Sequence, residues 1–267
     1  MEFYSVIVTS KKDPAGRMIR KWLEEKTIKE YGNISILSET PLIGLYEIEK
    51  ELLYIEPKDL PFKSEFIVFG SRHASKKEIP ALLAHPTGNW GEAIYGGKPE
   101  RISVAAPWAM KAAIKYFAKI KLQGYEYGYE VTHHGPLLDV PHAFIEVGST
   151  PTQWEDPTAT RVAAEACYIA AKSSKKCKIA IGIGGTHYAP RFTSVALVNE
   201  DICFGHMLPR YGYPSNPDRL YFLIKQALER SGGEVKMIVL DSKKDAKKLK
   251  TFADKLSVPV VRAGDLL

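Results

Sequence analysis

The 267-residue chain is poor in cysteine: Cys167, Cys177 and Cys203 are odd in number and have no CxxC spacing. Neither a disulfide scaffold nor a cysteine zinc knuckle is expected from them. No run approaches the ~18 apolar residues that a membrane-spanning helix needs. The opening MEFYSVIVTSKKD carries acid early and passes straight into a strand-like segment, unlike a signal peptide, so the expected location is cytoplasmic. There is no repeat or low-complexity linker. There is no GxSxG elbow, and Cys167 falls on the apolar face of its helix, which argues against covalent catalysis by serine or cysteine.

What is present suits a sizeable core: 45% of residues are hydrophobic, 25% charged and 10% aromatic. The 37 basic and 31 acidic side chains leave a net charge of +6, compatible with a polyanionic partner without requiring one.

Strands and helices alternate. Residues 3–10, 34–37, 42–49 and 65–71 read as strands, with a helix after the first whose cap is Asp13 and whose first residue is Pro14. The stretch 72–106 is rich in glycine and proline and has little periodicity, as functional loops do. A helix over 107–121 buries Met110, Ala113, Ile114 and Phe117, and its other face carries Lys111, Lys115 and Lys119. That lysine stripe is either a solvated face or a contact for a phosphate backbone. Strands are predicted over 126–135, 142–149, 178–185, 192–199, 235–242 and 258–261, and helices over 157–173, from Pro217, and over 243–256. The alternation predicts a three-layer α/β/α protein with a mixed, mostly parallel sheet. A single domain over 1–267 is expected, with 40–106 as a candidate small lobe.

Seven histidines, most of them at strand ends or in glycine-flanked loops, are the strongest chemical signal. Ser71, Arg72 and His73 in SRHAS, His85, Thr87, Gly88, Asn89 and Trp90 in HPTGNWG, and Gly184, Gly185, Thr186 and Arg191 further on are candidate substrate contacts. His133 and His134 lie in EVTHHGP, Glu146 in FIEVGSTPTQW, and Gly184, Gly185, Thr186, His187 and Arg191 in GIGGTHYAPRF. Glu146 sits between Ile145 and Val147, so either its strand is half-exposed or the carboxylate faces a pocket beside a histidine. His133, His134, Glu146 and His187 form a candidate catalytic set and a candidate metal set, although their spacing matches no tight zinc motif. The Gly184-Gly185-Thr186 amides are candidates for holding an oxyanion, or form a tight turn only. Trp90 is either core or a stacking surface for a base.

In this order, the five motifs resemble the archaeal and plant type of D-aminoacyl-tRNA deacylase, and the resemblance runs over essentially the whole chain. It implies a fold similar to peptidyl-tRNA hydrolases and phosphorylase-like proteins. It also implies hydrolysis of the ester between a D-amino acid and the terminal ribose of tRNA, and a role in removing aldehyde adducts of such tRNAs. Zinc dependence is implied as well, with no ligand carried over residue by residue. The substrate partner would be D-aminoacyl-tRNA, with no membrane and no obligate protein partner, and a monomer suffices. Two other readings stand beside it: a zinc-dependent amidohydrolase or peptidase-like enzyme acting on small molecules, and a non-catalytic RNA-binding protein.

Overall fold

A computed structural model describes residues 2–249, 255–256 and 258–267. The first half of the chain runs β1 (Glu2–Ser10), α1 (Pro14–Glu24), β2 (Lys29–Tyr31), β3 (Ile34–Glu39), β4 (Leu42–Ile48), β5 (Lys63–Ala74) and β6 (Ala81–His85). Then come α2 (Pro107–Ile120), β7 (Glu126–Tyr129), β8 (His142–Ser149), α3 (Pro151–Trp154) and α4 (Pro157–Lys172). The last part holds β9 (Lys178–Ile183), α5 (Pro190–Val198), β10 (Ile202–Leu208), α6 (Pro217–Glu229), β11 (Val235–Leu240), α7 (Lys243–Leu249) and β12 (Val260–Arg262).

The architecture is three-layer α/β/α with mostly parallel strands, but the strands divide into two sheets. One is eight-stranded and mixed, in the order β2-β3-β4-β1-β5-β8-β6-β7; the other is parallel, in the order β10-β9-β11-β12. Strands β4, β5 and β6, from the predicted lobe, all belong to the larger sheet.

Strand alternation in β8 decides where the chemistry sits. Ala143, Ile145 and Val147 point into a core shared with Ala109, Ala113 and Ile114 of α2 and Ala163 and Cys167 of α4. Phe144 and Glu146 therefore point to the opposite face, where Phe144 packs with Phe69, Leu52 and Leu138. The capped helices form where expected: Asp13 accepts from the Gly16 N–H, and Asp156 and Asn216 each accept from two amides of the first turn.

Several expectations are corrected. Residues 192–199 are not a strand; α5 occupies Pro190–Val198, with Phe192, Val195 and Ala196 buried at helical spacing and Pro190 opening the first turn. The strand that follows is β10, which the sequence pattern did not reveal. The stretch 72–106 carries β6, paired antiparallel to β8 and parallel to β7. The strand expected over 126–135 stops at Tyr129. Helix α7 is described to Leu249, and most of the remainder of the predicted 243–256 helix lies outside the described residues. Cys177 and Cys203 form a disulfide with a Cα–Cα distance of 5.9 Å. It links the residue just before β9 to the neighbouring β10, in a fold whose core is already extensive.

Lys111 is not on a solvated face. It is 5% exposed. Its ammonium donates to the carbonyls of Asn199, Glu200 and Ile202 at 2.6–2.7 Å, satisfying the backbone between α5 and β10. Lys115 pairs with Glu200, and Lys119 is exposed. Among the described residues, no helix is long and apolar enough to cross a membrane.

Candidate active site

The register of the large sheet brings Ser71 beside Glu146 and His73 beside Gly148 on one side, and His85 beside Phe144 on the other. Glu146 is 3% exposed, so the half-exposed alternative is excluded. Its Oε1 accepts from the Ser71 hydroxyl at 2.8 Å and lies 3.6 Å from His85 Nε2; its Oε2 lies 3.5 Å from His73 Nδ1. Burial alone would raise the Glu146 pKa, but the imidazoles of His73 and His85 outweigh it and hold the carboxyl well below its ordinary range.

A second buried carboxylate, Glu130, completes the cluster. It was not among the sequence candidates; the only signal was its place three residues before His133 in the same motif. Glu130 is fully buried, with Oε2 3.3 Å from His73 Nδ1 and Oε1 2.8 Å from His187 Nε2. Burial opposes its ionisation, and His187 and His73 more than offset that, lowering its pKa well below the usual carboxylate value. The same two carboxylates act back on His73: burial would lower its pKa, yet Glu130 and Glu146 raise it to about 11.

His85, His133 and His134 converge from the end of β6 and the loop after β7. Ring centroids are 4.2 Å apart for His85–His133, 4.8 Å for His85–His134 and 4.4 Å for His133–His134. In each ring Nδ1 faces a backbone carbonyl: Pro86 O at 3.2 Å, Val131 O at 2.8 Å and Gly135 O at 2.5 Å. That contact fixes the tautomer and leaves Nε2 free, the arrangement by which outer partners orient imidazoles toward a metal. Burial first, then the neighbouring histidines, lower the pKa of His133 well below its ordinary value and that of His134 to about 4, which keeps both rings neutral.

Donor atoms of His85, His133 and His134 lie within 4.8 Å of one another, as do those of Glu130, His133 and His187, and those of His73, Glu130 and Glu146. His85 Nε2 and both oxygens of Glu130 are buried without a well-directed hydrogen bond. Orphaned donors of this kind in a nitrogen- and carboxylate-rich cluster fit a divalent cation such as zinc.

The histidines open into a cavity of about 530 Å³, lined by His133, His134 and His187 and walled by Trp90, Tyr95 and Tyr211. His187 stands at its edge, with Nδ1 2.8 Å from the Tyr211 hydroxyl and the two rings stacked. Gly88 and Asn89 line the cavity, and Asn89 Nδ2 donates to Gly96 O at 2.9 Å. Trp90 is largely core, 7% exposed, and its indole N–H donates to Met207 O; the open aromatic faces belong to Tyr95 and Tyr211.

Other predicted contacts lie elsewhere. Thr87 is fully buried, bonded to Ser103, Pro136 O and His142, and has no surface for a substrate. Arg72 alternates away from Ser71 and His73, and its guanidinium stacks over Trp154. His85 is fully buried behind the cavity wall, where it meets other donors rather than a ligand's surface. The Gly184 N–H is bonded to Leu208 O, and neither Gly184, Gly185 nor Thr186 lines the cavity. Arg191 is tied to Asp241.

Residues 60–261 match the family model for D-aminoacyl-tRNA deacylases. The chain is similar to the D-aminoacyl-tRNA deacylase of Pyrococcus furiosus, 39% identical over 94% of this chain and 96% of that protein. It resembles that of Thermococcus kodakarensis at 36% identity over 96% and 99%. A crystal structure described as a conserved protein of unknown function superposes with a TM-score of 0.83, at 30% identity, over 99% of this chain and 96% of that one.

Proposed function

The chain belongs to the D-aminoacyl-tRNA deacylase family, and on that premise we propose that the histidine-lined cavity hydrolyses the ester between a D-amino acid and the terminal ribose of tRNA. One observation carries the reading: three imidazoles with carbonyl-fixed Nδ1 present their Nε2 atoms beside two buried carboxylates, under a cavity of the right size for the aminoacyl end. The small-molecule amidohydrolase reading finds no support among the relatives.

His85, His133 and His134 would hold zinc, with the Glu146 carboxylate 3.6 Å from His85 Nε2. Zinc bound there would supply a Lewis acid and make water a stronger acid. The protein's own work is positioning and proton transfer. Glu130 orients His187, as a buried carboxylate orients the imidazole of a catalytic triad. His187 takes a proton from water as the water oxygen bonds the ester carbonyl carbon. The carbon–oxygen bond to the ribose then breaks, and the departing ribose oxygen receives the proton from His187. Free tRNA and the D-amino acid result. Tyr95 and Tyr211 offer stacking faces to the terminal adenosine. Chiral choice needs only a site crowded on one side of Cα, which would reject the L form while tolerating varied D side chains. A cytoplasmic, monomeric enzyme is sufficient for this task.

Metal removal tests the assignment. Chelation is expected to abolish D-tyrosyl-tRNA hydrolysis, and zinc to restore it in the wild type but not in His133→Ala. Full activity after verified metal removal would refute the histidine trio as a zinc site.

A further inference from the structure

A second cavity, of about 880 Å³, is larger than the one beside the histidines. The two are separated by a single exposed ridge. Gly91 and Tyr95 face the histidine cavity, whereas Gly96, Gly97 and Lys98, the next residues of the same ridge, face the larger one. The ridge is fastened at its base: Asn89 Nδ2 donates to Gly96 O, and the Gly135 N–H donates to Tyr95 O at 2.8 Å. Gly96 has φ +74°, and a Cβ there would stand 1.9 Å from Leu53 O, so the ridge lies backbone to backbone on the segment that forms the far wall.

The charge of the larger cavity is uneven. Lys58 is paired with Glu56, and Arg230 with Asp139. Lys98 and Arg101 also line it, and among the described residues neither side chain makes an ion pair or hydrogen bond. Two unneutralised cations, three and six residues beyond Tyr95 of the aminoacyl cavity, thus stand beside Tyr54, which is 46% exposed. The lysines of α2 are on the other side of the large sheet from Glu146, because α2 packs on the face bearing Ile145 and Val147. They cannot serve a strand whose end lies among the histidines.

We propose that the larger cavity binds the phosphodiester backbone of the tRNA acceptor arm, with Lys98 and Arg101 as phosphate contacts; this rests on the deacylase reading of the neighbouring cavity. A strand that delivers its terminal ribose ester to the histidines crosses the ridge with its phosphates on the cationic side. Phosphate contacts of this type fix register and orientation without reading sequence.

The test is filter binding of uncharged tRNA across a salt series, with the double variant Lys98→Glu/Arg101→Glu. Losing two contacts to a single strand should reduce the slope of log K against log salt by about 1.4, and weaken binding by about tenfold or more. KM for D-tyrosyl-tRNA should rise in step while kcat stays within about twofold, whereas Lys119→Glu should change neither. The conservative exchange Lys98→Arg/Arg101→Lys should restore binding, which separates lost charge from lost fold. An unchanged salt slope in a folded double variant overturns the proposal. So does a slope that falls only in Lys243→Glu/Lys244→Glu, which would move the contact to α7. Wild-type protein that binds uncharged tRNA but hydrolyses neither D nor L ester would refute the deacylase reading and leave the binding groove standing.

Discussion

Glu146→Gln changes charge with almost no change of shape. The glutamine keeps an oxygen for the Ser71 hydroxyl, now 2.8 Å from Oε1, but offers no negative charge to His73 at 3.5 Å or His85 at 3.6 Å. Breaking a buried ion pair from one side costs about 3–5 kcal/mol. Here Glu130 remains 3.3 Å from His73, so the loss belongs at the low end, about 3 kcal/mol. For a chain of this size that lowers Tm by roughly 10 °C. Partners that orient a metal site are worth about 10- to 100-fold in affinity or activity. At the upper limit, kcat/KM falls ~100-fold, equivalent to about 2.7 kcal/mol of barrier. Thermal unfolding, zinc content and D-tyrosyl-tRNA deacylation measured on one preparation check all three. A variant within threefold of wild type in kcat/KM, with its zinc retained and Tm within about 2 °C, would refute the charge-centred account of the cluster.

Two further predictions concern stability. Burial lowers the pKa of His142 to about 4 and of His206 to about 3, and both rings are neutral in the fold. The unfolded chain binds these protons from about pH 6.5 downward, so stability falls as pH drops from there toward 4. The two groups together contribute a slope of up to about 2.7 kcal/mol per pH unit, measurable by urea unfolding between pH 6.5 and 5; a flat profile would contradict the assignment. Lys111→Met leaves three carbonyls without their donor. It should cost about 3 kcal/mol in chemical denaturation, given about 1–3 kcal/mol for each unsatisfied buried group and some relief from no longer burying a charge. An unchanged midpoint would show that the ammonium does not support the turn between α5 and β10.

Much of the fold was legible because local signals agreed with it. Three helices announce themselves by Asp-Pro or Asn-Pro starts at Pro14, Pro157 and Pro217, where cap and first residue are both specified by neighbours in sequence. Strand β8 is continuous and β-rich, and its predicted bounds of 142–149 coincide with the observed ones. Helix α5 reads as a strand because Phe192, Thr193, Val195 and Val198 favour strands locally, whereas packing of Phe192, Val195 and Ala196 on the core decides for helix. Strand β6 is only five residues long and bounded by Pro80 and Pro86, so it has no periodicity of its own; pairing with β8 and β7 makes it a strand.

The candidate site was legible as a set of motifs and not as a geometry. Glycine-flanked histidines marked the loops, but which imidazoles share a space depends on sheet register, and register is not local. His85 was assigned to substrate and is buried among the donors; Glu130 was overlooked because a carboxylate near the end of a strand is usually solvated. Lys111 reads as part of an exposed stripe, solvated or on a phosphate backbone, because its spacing matches Lys115 and Lys119; the loop that covers it comes from residues 199–202.

The most direct measurement is deacylation of matched D- and L-tyrosyl-tRNA by the purified protein. The account predicts rapid release from the D ester, slow release from the L ester, and loss of the D activity in His187→Ala by at least about tenfold, or ~1.4 kcal/mol of barrier. Equal release from both esters would contradict the chiral claim. Release from neither would contradict ester hydrolysis at the histidine cavity.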